Sequence, residues 1–386
     1  MKQHAFLVLL CGLAAAVAAD GPKVTLPAPY HTPSTPNPPK VVAQGSRQMH
    51  LPAGFTVEEY ASGFQKPRYM IELPGGTVLV TDSVAKGVVH ALLADKSRKQ
   101  VLTGLDRPFG MAFHKGHLYV SEAEAIKRYP FDPKTLVAGP AEVVVPLKGY
   151  GKGHWTRSLA FDKKGRLYVS VGSGSNADAG DPEDRAAINV YNPDGSGHEI
   201  LAKGLRNPVS IRWNPRSGKL WTTVQERDGL GDGLVPDYFT GIKPGAFYGW
   251  PYAYLGPNEE PRLKGAAPDL VAKTIAPDVL LPPHAAVMDF VFYTGKAFPA
   301  KYREGAFLAF RGSSNRSKRL GYSVVFVPFK GGKPAGPPED FLTGWMDGED
   351  SKEVWGRPVG MLQLGDGSLL VSEDGNNKIY RIRFKG

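Results

Sequence analysis

A six-bladed, all-β propeller is the fold class this sequence predicts, and three observations predict it. One phrase recurs six times: a short apolar strand, a turn containing glycine, and a second strand that opens with glycine and is apolar at alternate positions. The turn glycines of the first four copies, Gly76, Gly116, Gly165 and Gly218, follow one another at roughly 40–50 residues, the period of a blade built of several short strands. The third observation is composition. Gly 46 and Pro 34 suit a chain made of turns, and 386 residues with 42% hydrophobic content suffice for one large ring.

In chain order, residues 1–19 read as a cleaved signal peptide. Lys2 supplies the positive n-region, 5–17 the apolar stretch, and Ala16-Val17-Ala18-Ala19 the cleavage site. That stretch is too short to span a bilayer as a folded helix, so no transmembrane anchor is expected in the mature chain. Leu10 stands before Cys11 where a lipoprotein signal needs a small residue, which argues against lipid anchoring. The expected location is periplasmic or secreted. Cys11 is the only cysteine, so cleavage leaves no disulfide, thiol nucleophile or thiolate metal site. No C-x-x-C-H haem attachment motif occurs. Residues 20–48 are expected to be a linker, because seven prolines fall within 21–39 and favour extended chain. The propeller domain is expected at 49–386.

The six copies are 69–73 with 76–81, 110–114 with 116–121, 158–162 with 165–170, 210–214 with 218–223, 289–293 with 305–310, and 360–364 with 367–372. Alternation in Leu118/Val120, Leu167/Val169 and Leu369/Val371 fits strands packed blade against blade. Outer strands are weaker; Val88-Val89-His90-Ala91-Leu92 and 143–146 are examples. Residues 229–283, rich in proline, read as loops extended over one face. A strand from 49–60 is expected to join 378–384 and close the ring, leaving few open edges.

The net charge is +10. A basic surface often serves nucleic acid, but no helix here carries a basic stripe and the only dense run is Arg316-Ser317-Lys318-Arg319, so nucleic acid is not expected as a partner. The charge gathers elsewhere. The residues just before the inner strands are Lys66-Pro67-Arg68, Arg107-Pro108-Phe109, His154-Trp155-Thr156-Arg157, Arg206-Asn207-Pro208, His284-Ala285-Ala286 and Arg357-Pro358-Val359. A propeller brings these positions to one end of its channel. Cations converging there repel one another unless an anion sits among them, and arginine suits bidentate capture of carboxylates. The expected ligand is therefore planar or carboxylate-rich, and His154 is the candidate base, since imidazole titrates near neutrality. After the fourth copy, Gln225-Glu226-Arg227-Asp228 with Asp232 and Asp237 on a Gly-rich loop suits a hard cation such as Ca²⁺.

Four motifs in order, Gly153-His154-Trp155-Thr156-Arg157-Ser158-Leu159, Gly204-Leu205-Arg206-Asn207-Pro208, Phe247-Tyr248-Gly249-Trp250-Pro251 and Gly356-Arg357-Pro358-Val359-Gly360, resemble the glucose/sorbosone dehydrogenase family, in particular its L-sorbosone dehydrogenase-like branch. The resemblance runs from about Leu51 to Phe384. It implies pyrroloquinoline quinone (PQQ), a flat tricarboxylate, and Ca²⁺ at the channel mouth. It implies His154 and Arg206 as the catalytic pair, with His154 the base and Arg206 stabilising developing negative charge. It implies Arg157, Arg206, Asn207, Arg311 and Arg357 as cofactor-binding residues. For calcium it implies the backbone carbonyls of Glu226 and Arg227, with Asp228 and Asp232 nearby. The substrate would be a sugar or sugar aldehyde, and a separate cytochrome or quinone would accept the electrons. Val209 replaces a second amide side chain of the glucose-oxidising members. Arg311 replaces their lysine, and Ser314 a tryptophan frequent in the sorbosone branch. Two other classes fit a propeller: a Ca-dependent lactonase-type hydrolase, and a non-catalytic propeller that binds carbohydrate or protein. The cationic strand heads argue against the first, and His154 beside arginines against the second.

Overall fold

The structure, a computed structural model, describes residues 25–95 and 97–386. The expected signal peptide lies outside the described residues. Six antiparallel sheets form the blades of a propeller. Blade 1 comprises Pro67–Glu72, Val78–Asp82, Gly87–Leu92 and Arg98–Leu105; blade 2 comprises Met111–His114, His117–Ser121, Ala125–Asp132 and Glu142–Pro146. Blade 3 comprises Leu159–Phe161, Leu167–Val171, Ala187–Tyr191 and Glu199–Lys203; blade 4 comprises Asn207–Trp213, Leu220–Gln225, Pro236–Gly241 and Val279–Pro283. Blade 5 comprises Val287–Phe292, Gly305–Phe310, Ser323–Lys330 and Glu339–Leu342; blade 6 comprises Pro358–Gln363, Leu369–Glu373, Lys378–Phe384 and, as its outermost strand, Phe55–Ala61. The inner strand of each blade touches those of the blades before and after it, so the six close a ring. Closure is by the strand Phe55–Ala61, whose Phe55 lies opposite Phe384 and Val57 opposite Ile382.

Alternation along the second strands decides which interface each side chain fills. Leu118 and Val120 join the apolar cluster shared with blade 1, while Tyr119 between them joins the cluster shared with blade 3. Leu167 and Val169 face blade 2, and Tyr168 faces blade 4. Leu369 and Val371 face blade 5, and Leu370 faces blade 1. Each of the six blade interfaces thus has its own buried apolar cluster. Polar links accompany them. A hydroxyl at or near the end of the second strand donates to a carbonyl at or just before the next blade's inner strand: Thr81 to Phe109 at 3.1 Å, Ser121 to Arg157 at 2.8 Å, Thr223 to Met288 at 3.1 Å and Ser372 to Arg68 at 2.5 Å.

Two expectations are corrected. Residues 229–283 are not loops throughout, because Pro236–Gly241 and Val279–Pro283 are the two outer strands of blade 4. The prolines at their ends, Pro236, Pro282 and Pro283, hide strands that still pair, with Phe239 opposite Val279. The Pro-rich stretch is extended, yet it is not a separate tether ahead of the domain. Tyr30 N donates to the Leu230 carbonyl at 2.8 Å, Asn37 N to the Ser314 carbonyl at 2.7 Å, and Lys40–Val41 pairs in parallel with Glu353–Val354. An extended segment without helix or sheet of its own must place its backbone polar groups somewhere, and the blade loops above the strand heads supply partners.

Candidate active site

At the strand heads two adjoining cavities of about 160 Å³ and 200 Å³ share His154, Gln225, Ala286 and Arg311. His154 is fixed by the end of blade 3's second strand. Its backbone N–H donates to the Ser173 carbonyl at 3.1 Å. Its Nδ1 lies 3.0 Å from that same carbonyl and 2.9 Å from Ser173 Oγ. The Ser173 hydroxyl gives its own proton to the Ser175 carbonyl, so Nδ1 faces two acceptors and must carry the ring proton. Nε2 is then left as a bare acceptor on the cavity side. Burial, reinforced by the positive charge of Arg206, pushes the imidazole down to about 3, and the ring is neutral.

Arg206 is held on three sides. Nε donates to the Asn176 carbonyl at 2.9 Å, Nη2 to Asn176 Oδ1 at 2.9 Å, and Nη1 to the Glu226 carbonyl at 2.7 Å. Asn207 Nδ2 donates to Gln225 Oε1 at 3.0 Å, and Gln225 Nε2 to the Val287 carbonyl at 3.0 Å. The direction of the Asn207 amide is therefore set, and its Oδ1 is buried without a hydrogen-bond donor.

On another wall two guanidinium groups share one carboxylate and a third stands beside them. Arg68 reaches Asp374 at 2.6 Å and Arg311 reaches it at 3.0 Å. Arg357 donates from Nε to the Arg311 carbonyl at 3.3 Å and has no salt-bridge partner among the described residues. Burial alone would raise Asp374, but Arg68 and then Arg311 outweigh it and hold the carboxyl at about 2. Burial, then Arg311, lowers Arg357 to about 10. The buried Arg68 Nε has no acceptor. Positive charge is in surplus here, as the strand heads predicted.

Not every predicted residue arrives. Arg157, expected to bind cofactor, is fully buried beneath the site. Its guanidinium is spent on the carbonyls of His154 at 2.6 Å, Thr156 at 2.8 Å and Tyr150 at 2.8 Å, so it shapes the His154 loop without facing the cavity. Three of the four residues expected to hold calcium, Glu226, Asp228 and Asp232, already hold protein partners with the oxygens in question. The Glu226 carbonyl is occupied by Arg206. The Arg227 side chain is buried among Glu226 and Glu260. Asp232 accepts from Ser317 N at 3.0 Å, and Asp228 pairs with His284 at 2.9 Å. Among the described residues no group of three or more His, Cys, Asp or Glu is arranged to hold a metal.

Sequence reasoning undervalued His284. Nδ1 faces Asp228 Oδ1 at 2.9 Å and Nε2 faces the Gly231 carbonyl at 3.0 Å. Both nitrogens meet acceptors, so both must donate and the ring is an imidazolium. Burial opposes the charge, but Asp228 and that carbonyl raise its pKa on balance. His284 and Ala286 sit at φ 64° and 54°, a strained backbone typical of a site held by its surroundings. Asp237 lines the same wall, its carboxyl pushed up to about 7, chiefly by burial. Asn176 and Asp374 were missed, and Gln225, expected in a cation-binding segment, instead orients Asn207. A signal existed: Gln225 and Asp374 each lie two residues past the hydroxyl near the end of a second strand, Thr223 and Ser372.

No helix among the described residues is long and apolar enough to cross a membrane. The chain is 28% identical over 360 residues to an uncharacterized protein of Borreliella burgdorferi, covering 87% of this chain and 91% of that one. It is 25% identical over 405 residues to a pyrroloquinoline quinone-dependent pyranose dehydrogenase of Coprinopsis cinerea, covering 87% of this chain and 54% of the relative, about half its length. The solved holo form of the Coprinopsis pyranose dehydrogenase PQQ domain superposes with TM-score 0.74 at 24% identity, over 89% of this chain and all of that domain. A family model described as TrAA12-like matches residues 49–233 and 269–385, which takes in all six strand heads, and by that match the chain belongs to the TrAA12-like family.

Proposed function

We propose that this chain is a PQQ-dependent dehydrogenase that oxidises a sugar or sugar aldehyde in the periplasm or outside the cell, and passes the electrons to a separate cytochrome or quinone. The observation that carries this reading is a neutral His154, its Nε2 free, shared by two adjoining cavities lined by Arg68, Arg311 and Arg357, of which only Arg68 and Arg311 are paired with a carboxylate. That charge surplus fits a polycarboxylate, and the buried, donor-less Asn207 Oδ1 fits a ligand bearing an N–H. The names of the Coprinopsis relatives support PQQ and a pyranose as the cofactor and substrate classes. The Arg206 guanidinium stands on the Glu226 carbonyl first expected to hold calcium, which would set one cation against another there.

When bound, PQQ supplies the two-electron acceptor for the hydride that leaves the sugar carbon. The chain's own residues do the rest. His154 Nε2 takes the hydroxyl proton as the C–O bond becomes C=O. Arg206, fixed by Asn176, presents a cation to the oxygen as charge develops. Arg311 and Arg357 hold carboxylates, and Ser173 keeps the His154 proton on Nδ1. The test is titration of the purified protein with PQQ, followed by reduction of an artificial electron acceptor with a panel of aldoses and sugar aldehydes. Saturable binding and sugar-dependent reduction are expected, and absence of PQQ binding would overturn the reading.

A further inference from the structure

The loop 311–322 has no strand or helix, yet Arg311, Gly312, Ser314 and Asn315 form one wall of the smaller cavity. Its backbone groups need partners from outside. One residue supplies three of them. Asn37 N donates to the Ser314 carbonyl at 2.7 Å. Asn37 Nδ2 donates to the carbonyls of Arg316 at 3.1 Å and Ser317 at 3.0 Å. The Asn37 carbonyl and Oδ1 accept from the two terminal nitrogens of Arg319 at 2.9 Å and 2.8 Å. Arg319 is 2% exposed and has no carboxylate partner among the described residues, so Asn37 provides acceptors to a buried guanidinium. Every polar group of Asn37 is used, and all are used on this one loop.

The same segment reaches the other side of the mouth. Asp232 N donates to Thr32 Oγ1 at 2.8 Å and Gly231 N to Ser34 Oγ at 3.1 Å, and Gly231 is the residue whose carbonyl holds His284. Arg316 and Ser317 bond Asp232 directly. Three segments from distant parts of the chain thus brace one another, and Asn37 is the only one of these residues whose contacts all go to the 314–319 stretch.

We propose that Asn37, outside the propeller, is a positioning residue that fixes the 314–319 loop as a wall of the cavity mouth and so governs how tightly the sugar is held. The proposal rests on the dehydrogenase reading for its substrate but not for its structural half. His154 and Arg206 lie on blades 3 and 4 and are held by Ser173 and Asn176, which Asn37 does not touch, so the effect falls on KM more than on kcat.

The experiment compares Asn37→Ala, Asn37→Asp and wild type by amide hydrogen exchange of the apo protein and by kinetics of the PQQ-loaded protein. Exchange across 313–320 is expected to rise tenfold or more in Asn37→Ala, while the strand Gly305–Phe310 stays protected. Asn37→Asp keeps the Arg319 contact and loses the two Nδ2 donations, and should fall between. KM should rise several-fold in the same order, with kcat within about twofold. Unchanged exchange at 313–320 overturns the proposal, as does a loosened loop with KM unmoved across the sugars tested. If the wild type binds no PQQ and turns over no sugar, the dehydrogenase reading fails, and the exchange comparison still decides whether Asn37 holds the loop.

Discussion

His154 is kept neutral by burial and by the Arg206 cation beside it, which together outweigh the opposing pull of the Ser173 carbonyl and the Asp228 carboxylate. Folded, it titrates at about 3; unfolded, it would titrate near 6.5. Between those values the unfolded chain binds the extra proton, so stability contributed here is full above about pH 6.5 and is lost as pH falls toward 3. For turnover the expectation is the reverse of an ordinary histidine enzyme. The pH profile of kcat/KM should carry no acid limb from this group down to about pH 5, and a tenfold loss per pH unit setting in at 6.5 would refute the assignment. His154→Ala should lower kcat by about 10²–10⁴-fold while PQQ titration still reports binding; equal turnover would remove His154 as base. Residues at this scale were legible where they recur. His154, Arg206, Asn207, Arg357 and Arg68 stand at repeated strand heads and do meet. Arg157 stands at the same repeat position, yet its side chain turns under the loop it supports, because position in a repeat fixes the backbone and not where a long side chain goes. Asn176 had no such signal, being one polar residue in a loop of Ser and Gly.

Blades meet through contacts that only small or hydroxylated residues allow, and these sit at fixed places in the repeat. Gly360 and Gly110 open their copies of the phrase. A methyl on Gly360 would collide with the Arg68 carbonyl, and one on Gly110 with the Arg157 carbonyl. In each case the obstructing oxygen is the one that the serine hydroxyl of the second strand also bonds, so neither strand can retreat without losing that hydrogen bond. Gly360→Ala should therefore cost about 1–3 kcal/mol or more, as overpacking does, read as a lower urea midpoint with unchanged slope. It should also weaken PQQ, because Arg68 moves with its carbonyl; a variant as stable as wild type would show that the two blades are loosely seated. Elements were legible to the extent that they repeat. Inner and second strands were found in all six blades. The outer pair of blade 4 was not, because proline at strand ends reads as loop when no hydrogen-bond partner is in view.

Ring closure joins the first strand of the propeller to the last, and the sequence showed this through two apolar alternating segments at its ends. What the pattern could not show is how far Phe55 reaches. Its ring packs edge-on against Phe298 at 4.8 Å, Phe341 at 5.0 Å, Tyr302 at 5.4 Å and Phe384 at 5.0 Å. Three of these belong to blade 5 outside its inner strand and one to the C-terminal strand, so Phe55 locks the closing strand and the interface between blades 5 and 6 together. That interface carries Arg311 from blade 5 and Arg357 and Asp374 from blade 6, the ligand-facing cluster itself. Phe55→Ala removes the shared ring from a half-buried place, and the expected loss is about 2–3 kcal/mol, below the 3–5 of a fully buried phenylalanine. An open ring would expose the edge of Lys378–Phe384 and invite association. The expected result is a lower thermal midpoint with concentration-dependent aggregation on heating, and weaker PQQ binding even at temperatures where the variant is folded. If stability falls while PQQ affinity is untouched, closure and the cation cluster are independent. If both fall together, the strand that completes the ring also holds the site in register.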